Sequence, residues 1–254
     1  MLAGMGSTSE AVDASSAVLF DLDGVLLSTA DLHRRAWGDL FTGWFAEHGI
    51  GPQYSDADYY GSIDGRPRVD GVAAVLASRG VELPLGSPTD PVDAETVWGL
   101  GNRKNAAFEA LLDAGPPPPF PDTVGVLLRL LRDGKQLAVV SSSYNARHVL
   151  ELAGIADAFH VVVDGQVASL AGLKGKPAPD TFEHAAAALR VRPERAVVVE
   201  DATFGVAAGK AGGFGLVVGV DRGAGADALL EAGADTVIST LAELVPPHHR
   251  WGDA

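Results

Sequence analysis

Ala17-Val18-Leu19-Phe20-Asp21-Leu22-Asp23-Gly24-Val25-Leu26 is an apolar run that ends on an acid, with a second acid two residues on and a glycine behind it. An unbroken apolar run of this kind fits a strand buried on both faces, which belongs in a parallel sheet covered by helices. Four similar runs follow, at Gln136–Ser141, Phe159–Val163, Ala196–Glu200 and Gly215–Val220. Alanine-rich helical stretches such as Asp180–Leu189 and Gly205–Ala211 separate them. The alternation predicts an α/β fold with a doubly wound parallel sheet. Right-handed crossovers then gather the strand C-termini on one edge, where open α/β sheets bind ligands.

Residues 31–119 break this rhythm. They show helical patterns at Leu32–Phe45, Val69–Ala77 and Ala94–Leu112, no strand, and a stiff ending, Gly115-Pro116-Pro117-Pro118-Pro119. The expectation is an inserted helical cap domain over 31–119, lying above the strand edge as a lid. The core domain is then 17–30 with 120–245, and 1–16 and 246–254 are expected to be frayed tails. The 254 residues, 47% apolar and 20% charged, suffice for one large core with such an insertion. The 33 acids and 19 bases leave a net charge of −14 with no basic stretch to offset it, which argues against nucleic acid as a partner. The absence of cysteine removes disulfides, thiolate metal sites and cysteine nucleophiles, and fits a cytoplasmic location. No apolar run is long enough for a transmembrane helix, and the N-terminus lacks the basic and apolar regions of a signal peptide, so no membrane association is expected.

The acids at the strand end carry chemistry. A carboxylate such as Asp21 can hold Mg²⁺ with one oxygen and attack phosphorus with the other. Asp23, in the following turn, can protonate a leaving oxygen and deprotonate an attacking one. The same spacing also fits a strand followed by an Asx turn. Taken alone, Lys176 fits a solvated loop lysine, and Glu200-Asp201 fits a turn.

The segment Phe20-Asp21-Leu22-Asp23-Gly24-Val25-Leu26 resembles the first motif of the haloacid dehalogenase (HAD) superfamily of phosphotransferases. Three further stretches resemble the remaining motifs in the same order: Ser141-Ser142-Ser143 after an apolar strand, Gly175-Lys176-Pro177, and Val199-Glu200-Asp201. The resemblance spans about residues 17–240 and implies a HAD-type Rossmann-like core. It also implies that Asp21 becomes an aspartyl-phosphate, that Asp23 is the acid/base, and that Ser141 and its neighbouring amides bind the transferring phosphoryl. Lys176 is then the lysine that pairs with the nucleophile, and Asp21, Asp23, Glu200 and Asp201 form the Mg²⁺ set.

Thr29-Ala30-Asp31-Leu32-His33-Arg34-Arg35-Ala36-Trp37 is similar to the start of the cap in the β-phosphoglucomutase-like subfamily. Thr29 is there a hinge residue that orients Asp23, and His33 a cap residue that couples substrate binding to it. Trp37 packs one turn further along, or simply fills the core. Ile63-Asp64-Gly65-Arg66-Pro67-Arg68 and Leu100-Gly101-Asn102-Arg103-Lys104 also look like the mutase pattern. By that resemblance Arg68 grips the phosphate remote from the nucleophile, Lys104 reaches sugar hydroxyls, and Gly65, Ser142, Ser143 and Asn145 complete the substrate contacts. Arg68 and Lys104 otherwise read as solvated helix faces. One departure stands out: Tyr144 follows Ser143 where the pattern has a basic residue, and Arg147 is the nearest candidate to replace it.

The implied activity is a β-phosphoglucomutase-like isomerisation of a sugar phosphate in a monomer. Tyr144 gives some weight to the alternative, a sugar-phosphate phosphatase. A phospho-aspartate signalling receiver shares the acids, hydroxyl and lysine but is about half the length and lacks a cap.

Overall fold

A computed structural model of the chain describes residues 7–115 and 118–246. The six strands are β1 (Ala17–Phe20), β2 (Gln136–Val140), β3 (Val161–Val163), β4 (Ala196–Glu200), β5 (Leu216–Val220) and β6 (Thr236–Ile238). They form one sheet in the order β3-β2-β1-β4-β5-β6, and every neighbouring pair is parallel. The order reverses at β1, so the crevice at its C-terminal end is the topological switch point where such sheets take ligands. Phe20 stands opposite Val139 and Val199. One step further along both registers brings Asp21 level with Val140 and Glu200.

The helices, in chain order, are α1 (Thr8–Ala14), α2 (Ala30–His48), the three-residue α3 (Asp56–Asp58), α4 (Arg68–Ala77), α5 (Val97–Ala114), α6 (Thr123–Arg132), α7 (Ala146–Leu152), α8 (Gly165–Ala171), α9 (Asp180–Ala188), α10 (Thr203–Ala211) and α11 (Ala226–Glu231). Alternation along β1 divides its side chains between two cores. Val18 and Phe20 pack with residues of α1, α6 and α7, and Ala17 and Leu19 pack with α9, α10 and α11. Burial on both faces explains why the strands read as continuous apolar runs.

The helices α2, α4 and α5 build a third core around Trp37, Phe41, Phe45, Val72, Leu76 and Leu100. A bidentate pair fastens this unit: Arg79 donates to both carboxylate oxygens of Asp58, at 2.6 and 2.8 Å.

Two elements differ from expectation. Residues 8–14 are helical, not part of a frayed tail. Ser7 and Glu10 form a reciprocal capping box, Val12 is fully buried, and Lys135 Nζ donates to the carbonyls of Asp13 and Ser15 at 2.6 and 2.8 Å. The edge strand β6 was not expected, because three residues carry too little periodic signal. The expected tail segments 1–6 and 247–254, and Pro116-Pro117 of the connector, lie outside the described residues. Among the described residues, no helix is long and apolar enough to cross a membrane.

Candidate active site

The chain leaves β1 at Asp21, whose amide donates to Val199 O at 2.9 Å, and turns at once. The turn closes on itself through Gly24 N to Leu27 O at 2.9 Å, with Gly24 at φ +86°. Glycine is required here twice over, since a Cβ would also lie 1.9 Å from Asp201 Oδ2. Buried Thr29 at the end of this loop donates to Asp23 Oδ1 at 2.5 Å.

Lys176 is buried with its Nζ held by three acceptors: Asp21 Oδ1 at 2.5 Å, Glu200 Oε1 at 2.6 Å and Val140 O at 3.0 Å. Burial works against its charge, but Asp21 and Glu200 outweigh it and push its pKa up, so Lys176 is a cation. Asp21, Glu200 and Asp201 each offer a carboxylate oxygen, and these oxygens lie within 4.8 Å of one another. Burial, then repulsion from neighbouring carboxylates, raises Asp21 and Asp201 well above the usual range, although Lys176 opposes this for Asp21. An all-oxygen, buried, mutually repelling set of this kind fits a hard divalent cation.

The Asp23 carboxylate stands apart from that set. Besides Thr29 it accepts from Ser141 Oγ at 3.2 Å, and His33 Nε2 lies 3.2 Å from Oδ1. Its side chain is therefore engaged by these groups, and its carboxylate lies outside the three-residue cluster found among the described residues. Burial penalises its charge, yet His33, Thr29 and Lys104 prevail and hold its pKa at about 2. Asp23 is thus a carboxylate, ready to accept a proton first.

His33 is contacted in turn by Lys104 Nζ, 2.5 Å from Nδ1. Burial and then the Lys104 charge lower the His33 pKa, which keeps the ring neutral. A neutral ring accepting at Nδ1 carries its proton on Nε2, facing Asp23. His33 also stacks on Phe108 at 3.9 Å between centroids. Lys104 lies 5.1 Å from the Trp37 ring centre, and burial brings its pKa down to about 7. Trp37 belongs to the helical core and also lines the cavity.

The serine loop after β2 joins the two sides of the cavity. Ser143 N donates to Ser141 Oγ at 3.1 Å, and Asn145 N to Ser143 Oγ at 3.2 Å. Ser142 Oγ donates to Gly65 O at 2.8 Å, and Asn145 Nδ2 to Asn105 Oδ1 at 2.9 Å, both across to the helical unit. One cavity is thereby lined from the sheet by Asp21, Asp23 and Asp201, and from the helices by His33, Arg68 and Lys104.

Residues 16–213 match the family model for haloacid dehalogenase-like hydrolases. The chain belongs to that family. It is 45% identical over 238 residues to β-phosphoglucomutase of Mycobacterium bovis, covering 90% of this chain and 91% of that one. It is 33% identical over 236 residues to validoxylamine A 7'-phosphate phosphatase of Streptomyces hygroscopicus subsp. limoneus, covering 91% and 96%. The crystal structure of β-phosphoglucomutase from Clostridium difficile superposes with a TM-score of 0.73 over 91% of this chain and 93% of that one; at 24% identity this likeness concerns the fold alone.

Within this haloacid dehalogenase frame, several lining residues escaped sequence reasoning. Tyr59 and Asp64 face each other at either end of a π-helical turn, Tyr59–Ile63, whose wider pitch gives no regular apolar repeat to read. Burial raises Asp64 to about 7, although Tyr59 draws it down. Arg66 lies 4.1 Å above the Phe204 ring, and Asn105 is recognisable only from its partner in the serine loop. Arg147 does not replace the missing basic residue: it turns to Asp164 at 3.4 Å and Val162 O at 2.9 Å.

Proposed function

We propose that the chain is a Mg²⁺-dependent β-phosphoglucomutase, interconverting β-glucose 1-phosphate and glucose 6-phosphate through the 1,6-bisphosphate, with residues 31–119 acting as a cap. The observation that carries this reading is the double hold on Asp23. Thr29 holds it from the hinge, and His33, backed by Lys104, faces it from the cap, so the helices that would grasp the sugar also seat the acid/base. The M. bovis relative, named for the same activity, supports it.

In this mechanism phosphorylated Asp21 gives its phosphoryl group to the C6 hydroxyl of β-glucose 1-phosphate, and Asp23 takes the hydroxyl proton. The bisphosphate turns over within the cavity. The Asp21 oxygen then attacks the C1 phosphorus, the bond to the C1 oxygen breaks, and Asp23 returns the proton to that oxygen. Lys176 orients Asp21 and meets the charge on the transferring group, with Ser141 and the adjacent amides. Arg68 grips the remote phosphate through its planar fork, while Lys104, Trp37, Gly65, Ser142, Ser143 and Asn145 line the sugar's place. Mg²⁺ fits Asp21, Glu200 and Asp201, and when bound supplies the charge neutralisation that lets an anionic nucleophile approach an anionic phosphoryl group.

The test supplies β-glucose 1-phosphate, Mg²⁺ and a trace of glucose 1,6-bisphosphate. Accumulation of glucose 6-phosphate is expected. Stoichiometric free phosphate with little glucose 6-phosphate would replace this reading with a sugar-phosphate phosphatase, in which water attacks the aspartyl-phosphate. Tyr144 in the basic residue's place is the observation that favours that second reading.

A further inference from the structure

Arg68 lines the cavity, but its buried Nε has no hydrogen-bond partner among the described residues. What surrounds the guanidinium is aromatic. Its central carbon lies 4.6 Å from the centre of the Tyr144 ring and 5.9 Å from that of Trp98. The stem runs along Gly101, where a Cβ would come within 3.3 Å of Arg68 Cγ.

Tyr144 is itself fixed from the core side. Its ring covers Gly165, where a Cβ would fall 2.1 Å from Tyr144 Cδ1, and Gln166 Nε2 donates to the Tyr144 carbonyl at 3.0 Å. The ring therefore cannot settle further toward α8, and the Arg68 guanidinium lies over it. Arg147, the other cation of this loop, is held away by Asp164.

We propose that Tyr144 is a positioning residue for Arg68. In place of a second cation at the remote-phosphate end of the cavity, the core presents a ring wedged on Gly165, and that ring holds the guanidinium with its donors free for phosphate. Cation–π contact fixes the plane of the guanidinium without consuming its N–H groups, which a carboxylate partner would do. Phosphate at this end is then met by one pre-oriented fork.

The proposal rests on Arg68 gripping the remote phosphate, so its test reads binding apart from turnover. The dissociation constant of glucose 1,6-bisphosphate is measured by its effect on thermal melting, in the presence of Mg²⁺, for wild type, Arg68→Ala, Tyr144→Ala and the double variant. Each single change is expected to weaken binding by roughly 5- to 30-fold, the double variant no more than Arg68→Ala alone. Tyr144→Phe keeps the ring and is expected to restore binding to within about 2-fold. Multiplying effects in the double variant, or Tyr144→Phe as weak as Tyr144→Ala, would overturn the proposal. So would a wild type that does not bind the bisphosphate at all. A wild type that binds with the expected coupling but releases only free phosphate would leave the role of Tyr144 standing and refute the mutase reading alone.

Discussion

Asp21 and Asp23 are two residues apart, yet their surroundings drive their acidities in opposite directions: burial among carboxylates pushes Asp21 up, while the contacts from Thr29 and His33 hold Asp23 at about 2. That division matches a nucleophile that needs a cation before it is fully ionised and a base that is ionised already. Asp21→Asn is expected to lower kcat by about 10³-fold or more without lowering the melting temperature, because it removes one of the repelling charges. Residual activity above about a tenth of wild type would reject Asp21 as the nucleophile. Lys104 gives a stability prediction. Its folded pKa of about 7 lies below its ordinary 10.5, so between those values the unfolded chain binds more protons and stability rises with pH. Below about pH 7 both states are protonated and the whole penalty is felt. Lys104→Met is therefore expected to stabilise the protein at pH 6, by roughly 1–4 kcal/mol, and to lose that advantage as the pH approaches 10. Thermal melts of both proteins across that range check it, and the same variant should bind substrate more weakly.

The elements were unequally legible. Strands β1, β2, β4 and β5 announce themselves, because burial on both faces forces continuous apolar runs such as Ala17–Phe20 and Ala196–Val199. Asp21, Ser141, Glu200 and Asp201 sit at the ends of such runs, whereas Lys176, in the loop between α8 and α9, was legible only through the resemblance. Spacing alone says nothing about which partners occupy Asp23, so its place in the Mg²⁺ set rests on the resemblance. The Tyr59–Asp64 pair stayed hidden because a π-helical turn gives no regular apolar repeat, and Asn105 because its partner, Asn145, is forty residues away in the chain. The helix α1 was missed although Ser7 and Glu10 carry the capping-box spacing. Its single fully buried residue, Val12, left little amphipathic signal. Val12→Asp is expected to destabilise the fold by about 2–4 kcal/mol, while the KM for β-glucose 1-phosphate stays within about 2-fold. Urea titration and steady-state kinetics check the two halves. A shift in KM with unchanged stability would contradict the packing of α1 far from the cavity.

For the molecule as a whole, the helical unit and the sheet are tied across the cavity by Ser142 to Gly65, by Asn145 to Asn105, and by the facing groups of Lys104, His33 and Asp23. A net charge of −14 does not prevent a phosphate ligand, because cations are concentrated where the ligand would sit: Arg68 and Lys104 line the cavity, and Lys176 is bonded to Asp21 in its wall. The three-carboxylate cluster is the complementary excess. Millimolar Mg²⁺ is expected to raise the melting temperature by a few degrees, and Asp201→Asn to abolish most of that rise; an equal response in both proteins would remove Asp201 from the cation's site. The central claim is that phosphate passes through Asp21 and returns to the sugar. Its most direct test is to acid-quench the enzyme during a single turnover of glucose 1,6-bisphosphate with Mg²⁺ and map the phosphorylated peptide by mass spectrometry. Phosphate is expected on Asp21, within the peptide that holds Asp21 and Asp23, rising as glucose 6-phosphate appears and falling when β-glucose 1-phosphate is added to take it up. Turnover with no phosphate on Asp21, or phosphate mapped to another residue, would contradict it.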